Sequence, residues 1–200
     1  MTDPIEFYFD FSSPYGYFGA TRISSIAAKH GRSVAWKPIL LGAVFKVTGS
    51  GPLPSLPLKG DYARRDMERV ARLWNVPYKL PSKFPIPSQA PSRIVYWLES
   101  NAPDKQEQAV LALYRAYFVE DRDVSSPETA AEVVGGIGID RGAALAATQD
   151  PAMKDRLKSE VEIAIQKGVF GSPYVFVDGE PFWGSDRLEH VERWLATGGW

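Results

Sequence analysis

The chain of 200 residues contains no cysteine. That excludes disulfide staples, thiolate metal sites, iron–sulfur clusters, a cysteine nucleophile and any redox cycle of the protein's own thiols. Histidine is almost as scarce: His30 and His190 are the only two and lie far apart in sequence, so a His-based metal site or a Ser-His-Asp triad has little to draw on. No apolar run approaches the ~18 residues needed to span a bilayer. Charge of one sign is not in excess: 23 Lys plus Arg face 24 Asp plus Glu, for a net charge of -1. Such a balance carries no electrostatic footprint for nucleic acid or an anionic membrane. The opening residues Met1-Thr2-Asp3-Pro4 show neither a basic nor an apolar leader region, so the expectation is a cytoplasmic protein without a signal peptide.

The hydrophobic fraction is 44% and the charged fraction 24%, an ordinary globular composition. A chain of this length buries roughly 70% of its unfolded surface and needs no metal to fold. The segment Ile5 to Phe11 places Ile5, Phe7, Phe9 and Phe11 at period two, which predicts a strand with one deeply buried face. Ser12-Ser13-Pro14 then gives a helix start, with Ser13 as N-cap and Pro14 as first helical residue, and Gly31 a helix stop. Val34 to Pro38 reads as a second strand, parallel to the first through the crossover helix. Ile39 to Val47 is ambiguous between strand and helix.

Helical patterns dominate from there. They cover Asp61 to Trp74, Ser92 to Ser100, Lys105 to Phe118, Pro127 to Val134, Arg141 to Thr148 and Pro151 to Gly168. A proline-punctuated stretch from Pro77 to Pro91 interrupts them, and a loop that long is functional or packed by its own aromatics. Trp74, Tyr96 and Trp97 sit at helical spacing, as core residues or as the wall of an apolar pocket. Tyr174 to Val177 and Glu180 to Trp183 flank Asp178-Gly179, a type I′ hairpin signal. Gly184-Ser185-Asp186 opens a last helix. Gly135-Gly136-Ile137-Gly138 follows a helix and not a strand, so it reads as a helix end and turn and not as a dinucleotide fingerprint. The layout is βαβ, a helical excursion, then ββα.

That layout is the one of an α/β thioredoxin-like fold with a large all-helical insertion: residues 1–44 and 169–200 form the thioredoxin-like domain and residues 45–168 the insertion. Redox members of that fold carry Cys-Pro-x-Cys at the start of the first helix. Here Ser13-Pro14-Tyr15-Gly16 stands in its place. Four motifs in order sharpen the likeness: Phe9-Asp10-Phe11-Ser12-Ser13-Pro14-Tyr15, Leu40-Leu41-Gly42, Phe170-Gly171-Ser172-Pro173 and Trp183-Gly184-Ser185-Asp186-Arg187. Together they resemble the 2-hydroxychromene-2-carboxylate isomerases, a branch shared with DsbA-like proteins and kappa-class glutathione transferases. The resemblance spans essentially the whole chain. It implies a glutathione-dependent enzyme whose ligand supplies the thiol that the protein lacks.

The resemblance assigns roles residue by residue. Ser13, by position a helix cap, would also donate its hydroxyl to the glutathione sulfur. A helix N-terminus favours an anion, and a thiol of pKa about 8.5 falls toward about 7 in such a place. Only Ser13 precedes the helix-initiating proline, which favours it over Ser12. Ser172-Pro173 would be a cis-proline loop whose backbone pairs with the peptide ligand in strand fashion. Ser185 and Asp186, caps on the bland reading, would hold the carboxylate and ammonium of the γ-glutamyl end. Lys59 would meet the glycine carboxylate. Family members often carry Asn in the loop after Thr-Gly; this chain has Ser50 there, as the corresponding contact. Lys46 is a weaker candidate for the carboxylate of a small aromatic substrate. The expected assembly is a homodimer, without metal, nucleic acid or membrane. Two other readings stay open: a kappa-like transferase or peroxidase, and a non-catalytic binding protein.

Overall fold

The computed structural model describes residues 3–200; Met1 and Thr2, part of the leader reading, lie outside them. Its centre is a four-stranded sheet in the order β2-β1-β3-β4. β1 (Ile5–Phe9) runs parallel to β2 (Val34–Pro38), with Phe7 opposite Trp36. β3 (Tyr174–Val177) is antiparallel to β1, and β4 (Glu180–Trp183) closes the sheet as the second arm of a hairpin. Asp178 and Gly179 both have positive φ, as a type I′ turn requires. Pro38 sits on an outer strand, where its missing N–H costs no ladder bond.

The period-two pattern separates two faces. Phe7, Phe9, Trp36, Val175 and Phe182 point into the larger core. There they meet α1 (Pro14–Lys29) and α9 (Leu188–Thr197), with α5 (Gln106–Phe118) beyond. Phe9 and Trp36 pack edge to face at 5.8 Å. Fully burying each such side chain contributes roughly 1.5–3 kcal/mol. Tyr8 and Tyr174 point the other way. They join Ile39, Val44 of α2 (Leu41–Thr48), Tyr96 of α4 (Gln89–Asn101) and Leu157 and Val161 of α8 (Pro151–Gln166). The ambiguous run after β2 is therefore helical, stopped by Gly49 at φ 70°. α3 (Lys59–Leu73), α6 (Pro127–Gly135) and α7 (Arg141–Gln149) complete the helical excursion.

The excursion leaves the sheet after β2 and returns at β3, as the sequence suggests. The boundary expected after residue 44 falls inside α2, and helical side chains such as Leu113 and Tyr114 share one core with the strands. Trp74 and Tyr96 are packing residues: Trp74 packs against Phe18 beneath the Arg22 guanidinium, and the Tyr96 hydroxyl donates to the Pro38 carbonyl. The loop from Pro77 is tied down by the hydroxyls of Tyr17 and Tyr117, which donate to the carbonyls of Pro77 and Lys83. α4 starts three residues earlier than the pattern predicts, with Pro91 tolerated in its first turn. Among the described residues, no helix is long and apolar enough to cross a membrane, and no cluster of His, Asp and Glu is arranged to hold a metal ion.

Candidate functional site

The start of α1 is built as its sequence dictates. Ser13 has extended backbone (φ -96°, ψ 116°), and its Oγ accepts from the Gly16 N–H at 3.0 Å, with Pro14 as the first helical residue. The same hydroxyl donates to the backbone carbonyl of Ser172 at 2.9 Å. The Ser172-Pro173 bond is cis, as the resemblance implies. Ser13 and Ser172 are 6% and 8% exposed. Ser13 thus sits, nearly covered, where the N-terminus of α1 meets the proline loop.

The loop is joined to the third candidate region as well. The Gly184 N–H donates to the Pro173 carbonyl at 3.0 Å, which seats Ser185 and Asp186 beside the loop. Here the structure departs from the expected helix start. Residues Ser185–Arg187 form a 3-10 turn, α9 begins at Leu188, and neither Ser185 nor Asp186 caps it. Ser185 is buried, whereas the Asp186 carboxylate is largely exposed and lies 3.1 Å from the Arg187 guanidinium. Neither side chain makes a capping hydrogen bond, and the exposed Asp186 carboxylate is paired with Arg187.

Ser13, Ser172, Pro173, Ser185 and Asp186 are therefore brought into one chain of backbone and side-chain contacts. Lys46, Ser50 and Lys59 are not. Lys46 lies near the end of α2, Ser50 in the loop beyond it and Lys59 at the first residue of α3, all exposed. No hydrogen bond among the described residues ties them to the cluster.

Two contributors escaped the sequence reading. Asp10, 3% exposed, has both carboxylate oxygens occupied: one accepts from Ser12 N–H and the other from Leu41 N–H, each at 2.7 Å. Burial pushes its carboxyl above the ordinary range, opposed only in part by those two N–H groups and the Ser88 hydroxyl. Its own N–H donates to Ser172 Oγ at 3.0 Å, and its carbonyl accepts from the Tyr114 hydroxyl at 2.9 Å. With its backbone so engaged, the strand ends at Phe9 and not at Phe11, although Phe11 remains buried. The second is Gly16. A Cβ there would lie 2.6 Å from Ser172 Oγ and 2.7 Å from the Tyr114 hydroxyl, so glycine is what lets α1, α5 and the proline loop meet. A carboxylate wedged between Phe9 and Phe11 was the available signal for Asp10; the motif position of Gly16 marked the residue but not the crowding above it.

Aromatic surface borders the cluster. Phe170 and Trp183 are both exposed and meet edge to face at 4.8 Å, with the Trp183 indole lying over Gly171 where a side chain would collide with it. Chemically, the site offers an activated helix N-terminus, a hydroxyl donor, an extended backbone edge and an exposed carboxylate.

Comparison with known proteins agrees with this geometry. The profile of the DSBA-like thioredoxin domain matches residues 4–196. A 2-hydroxychromene-2-carboxylate isomerase from Pseudomonas sp. (strain C18) is 30% identical over 197 residues, covering 98% of this chain and 90% of the relative. Glutathione s-transferase kappa 2 of Caenorhabditis elegans is 27% identical, covering 96% of this chain and 91% of its own. The solved structure of a 2-hydroxychromene-2-carboxylate isomerase superposes with a TM-score of 0.85 at 29% identity, covering 96% of this chain and 94% of that one. The chain therefore belongs to the DsbA-like thioredoxin-domain family, in the branch that holds the 2-hydroxychromene-2-carboxylate isomerases and the kappa-class glutathione transferases.

Proposed function

We propose that the protein is a glutathione-dependent isomerase acting on 2-hydroxychromene-2-carboxylate or a close aromatic analogue. The observation that carries this reading is the bond from Ser13 to the Ser172 carbonyl: in a chain without cysteine, a hydroxyl occupies the reactive end of α1 and faces the proline loop. The ligand then brings the thiol. In the reading, glutathione lies in extended form along Ser172-Pro173, and its own cysteine N–H takes over the Ser172 carbonyl. That frees the Ser13 O–H to turn toward the sulfur, where it and the helix N-terminus stabilise the thiolate. Ser185 and Asp186 receive the carboxylate and ammonium of the γ-glutamyl group, and Lys59 the glycine carboxylate, with Ser50 beside it.

The substrate's ring-opened form is a cis-o-hydroxybenzylidenepyruvate. The thiolate adds to the conjugated carbon and the electron pair moves onto the ketone oxygen as an enolate. The former double bond is now single and rotates. The enolate electrons return, the carbon–sulfur bond breaks and the thiolate leaves, giving trans-o-hydroxybenzylidenepyruvate with no net redox change. Lys46 is assigned to the substrate carboxylate, and the exposed Phe170 and Trp183 to its aromatic ring. We further propose that the working unit is a homodimer.

The kappa-class relative favours a second reading, transfer of glutathione to a generic electrophile. One assay separates them. Purified protein with glutathione is given the 2-hydroxychromene-2-carboxylate and, separately, an electrophile that can only be conjugated. Interconversion of the cis and trans isomers that requires glutathione supports the isomerase, and conjugation without isomerisation supports the transferase. Absence of glutathione binding at millimolar concentration defeats both.

A further inference from the structure

We infer that Asp10 is a positioning residue that sets where Ser13 stands relative to the proline loop and to α2. Three segments must converge at the reactive end of α1, and they come from distant parts of the chain. Asp10 touches each of them through a different polar group. Its Oδ1 holds the Ser12 N–H, the peptide immediately before Ser13. Its carbonyl accepts the Ser13 N–H at 2.8 Å. Its N–H reaches Ser172 Oγ, fixing the residue whose carbonyl Ser13 contacts. Its Oδ2 takes the Leu41 N–H, the first of α2, a helix whose N-cap Leu40 provides no side-chain acceptor.

One buried carboxylate thus serves the entries of two helices, where a negative charge is favoured. The Tyr114 hydroxyl, completely buried, closes the arrangement from α5 by donating to the Asp10 carbonyl. The consequence is specific to the side chain. An amide in its place keeps one acceptor but turns an NH2 group toward either Ser12 N–H or Leu41 N–H, two donors face to face. One of the two segments must then let go. Displacements of about 1 Å at a reacting centre cost roughly 100-fold in rate even when the mutated residue is remote from the chemistry.

The inference rests on the isomerase reading for its kinetic readout, so the experiment adds one that does not. Asp10→Asn is compared with the wild type for kcat, for the glutathione dissociation constant and for exchange of the Ser12 and Leu41 amide protons with solvent. Expected are a kcat lowered by about 10-fold or more, a dissociation constant changed less than about 3-fold because the peptide's ends bind elsewhere, and faster exchange at one of the two amides. An unchanged kcat, or kcat and affinity lost in parallel with melting temperature, overturns the inference. If the wild type does not bind glutathione, the functional reading has failed and amide exchange alone decides: unaltered protection of both amides in Asp10→Asn overturns the positioning role. If Asp10→Asn does not accumulate as folded protein, Asp10→Glu, which keeps both acceptors but shifts them by one methylene, replaces it. A split of kcat from affinity supports the inference, and an unchanged kcat rejects it.

Discussion

Ser13 has a single hydroxyl proton, given to the Ser172 carbonyl; in the proposed complex an incoming sulfur would compete for it. That competition gives the most direct test of the site. Ser13→Ala is expected to lower turnover far more than glutathione affinity, since Ser13 would touch the sulfur alone. Loss of one hydrogen bond to a charged group costs about 1.5–3 kcal/mol. If the bond favours thiolate over thiol, the bound thiol's pKa rises, each unit corresponding to about 1.36 kcal/mol. The pH–rate profile then moves toward higher pH, and ultraviolet absorbance of the thiolate follows the same shift in a titration of the complex. A full isomerisation rate with an unmoved profile would reduce Ser13 to a helix cap worth ~1 kcal/mol. Ser13 was legible because its signal is local: a cap, a proline at the next residue, a helix after that. Asp10 was not, because its partners Leu41, Tyr114 and Ser172 lie 31, 104 and 162 residues away.

Elements were largely readable from pattern, and their ends less so. The period-two run of β1 and the Asp178-Gly179 turn gave strand and hairpin directly, while α9 starts only at Leu188, after a 3-10 turn over the cap-like residues. The hairpin turn also carries a pH-dependent link. Arg32 donates to both Asp178 carboxylate oxygens, at 2.7 and 3.1 Å, and to the Asp3 carbonyl, joining the turn after α1 to the β3–β4 hairpin. The Arg32 guanidinium holds the Asp178 carboxyl below its ordinary range. A carboxyl lowered in the folded state adds stability above its unfolded pKa, and the gain disappears as pH falls through the folded value. Asp178→Asn keeps a residue suited to positive φ and removes the charge. It should lower stability at neutral pH by about 1 kcal/mol or less, since the carboxylate is half exposed. Denaturant melts of the two proteins should converge in acid; a constant difference at every pH would disprove the link.

For the molecule as a whole, the four-stranded order and the two-faced sheet follow from which residues alternate, and the helical excursion from its own amphipathic runs. What the sequence could not convey is that excursion and sheet share one core, because that depends on Tyr114 and its neighbours on α5 reaching back to β1 and α1. The proposed homodimer belongs to this scale. Val47, Leu53, Leu58 and Tyr62 are exposed apolar residues on one stretch from the end of α2 to the first turn of α3; Leu58 is 98% exposed with φ 64°. A conformation of that kind is costly for a leucine. Light scattering at micromolar concentration should report twice the protomer mass, and a protomer mass would refute the dimer. Leu58→Asp should shift the mass toward the protomer.

The crowding above Gly16 limits what chemistry could be engineered into the site. Thiol–disulfide exchange looks two substitutions away, Ser13→Cys and Gly16→Cys, but the second thiol has nowhere to stand: two hydroxyls already inhabit its volume. Even Gly16→Ala should destabilise the fold by about 1–3 kcal/mol, with part of that loss recovered when Tyr114→Phe removes one of the hydroxyls. A double-mutant cycle measured by chemical denaturation reads this coupling directly, and strict additivity would argue that the space is soft. If the coupling is found, the site is closed to a Cys-Pro-x-Cys pair by packing as well as by sequence: two codon changes alone would not install a working dithiol.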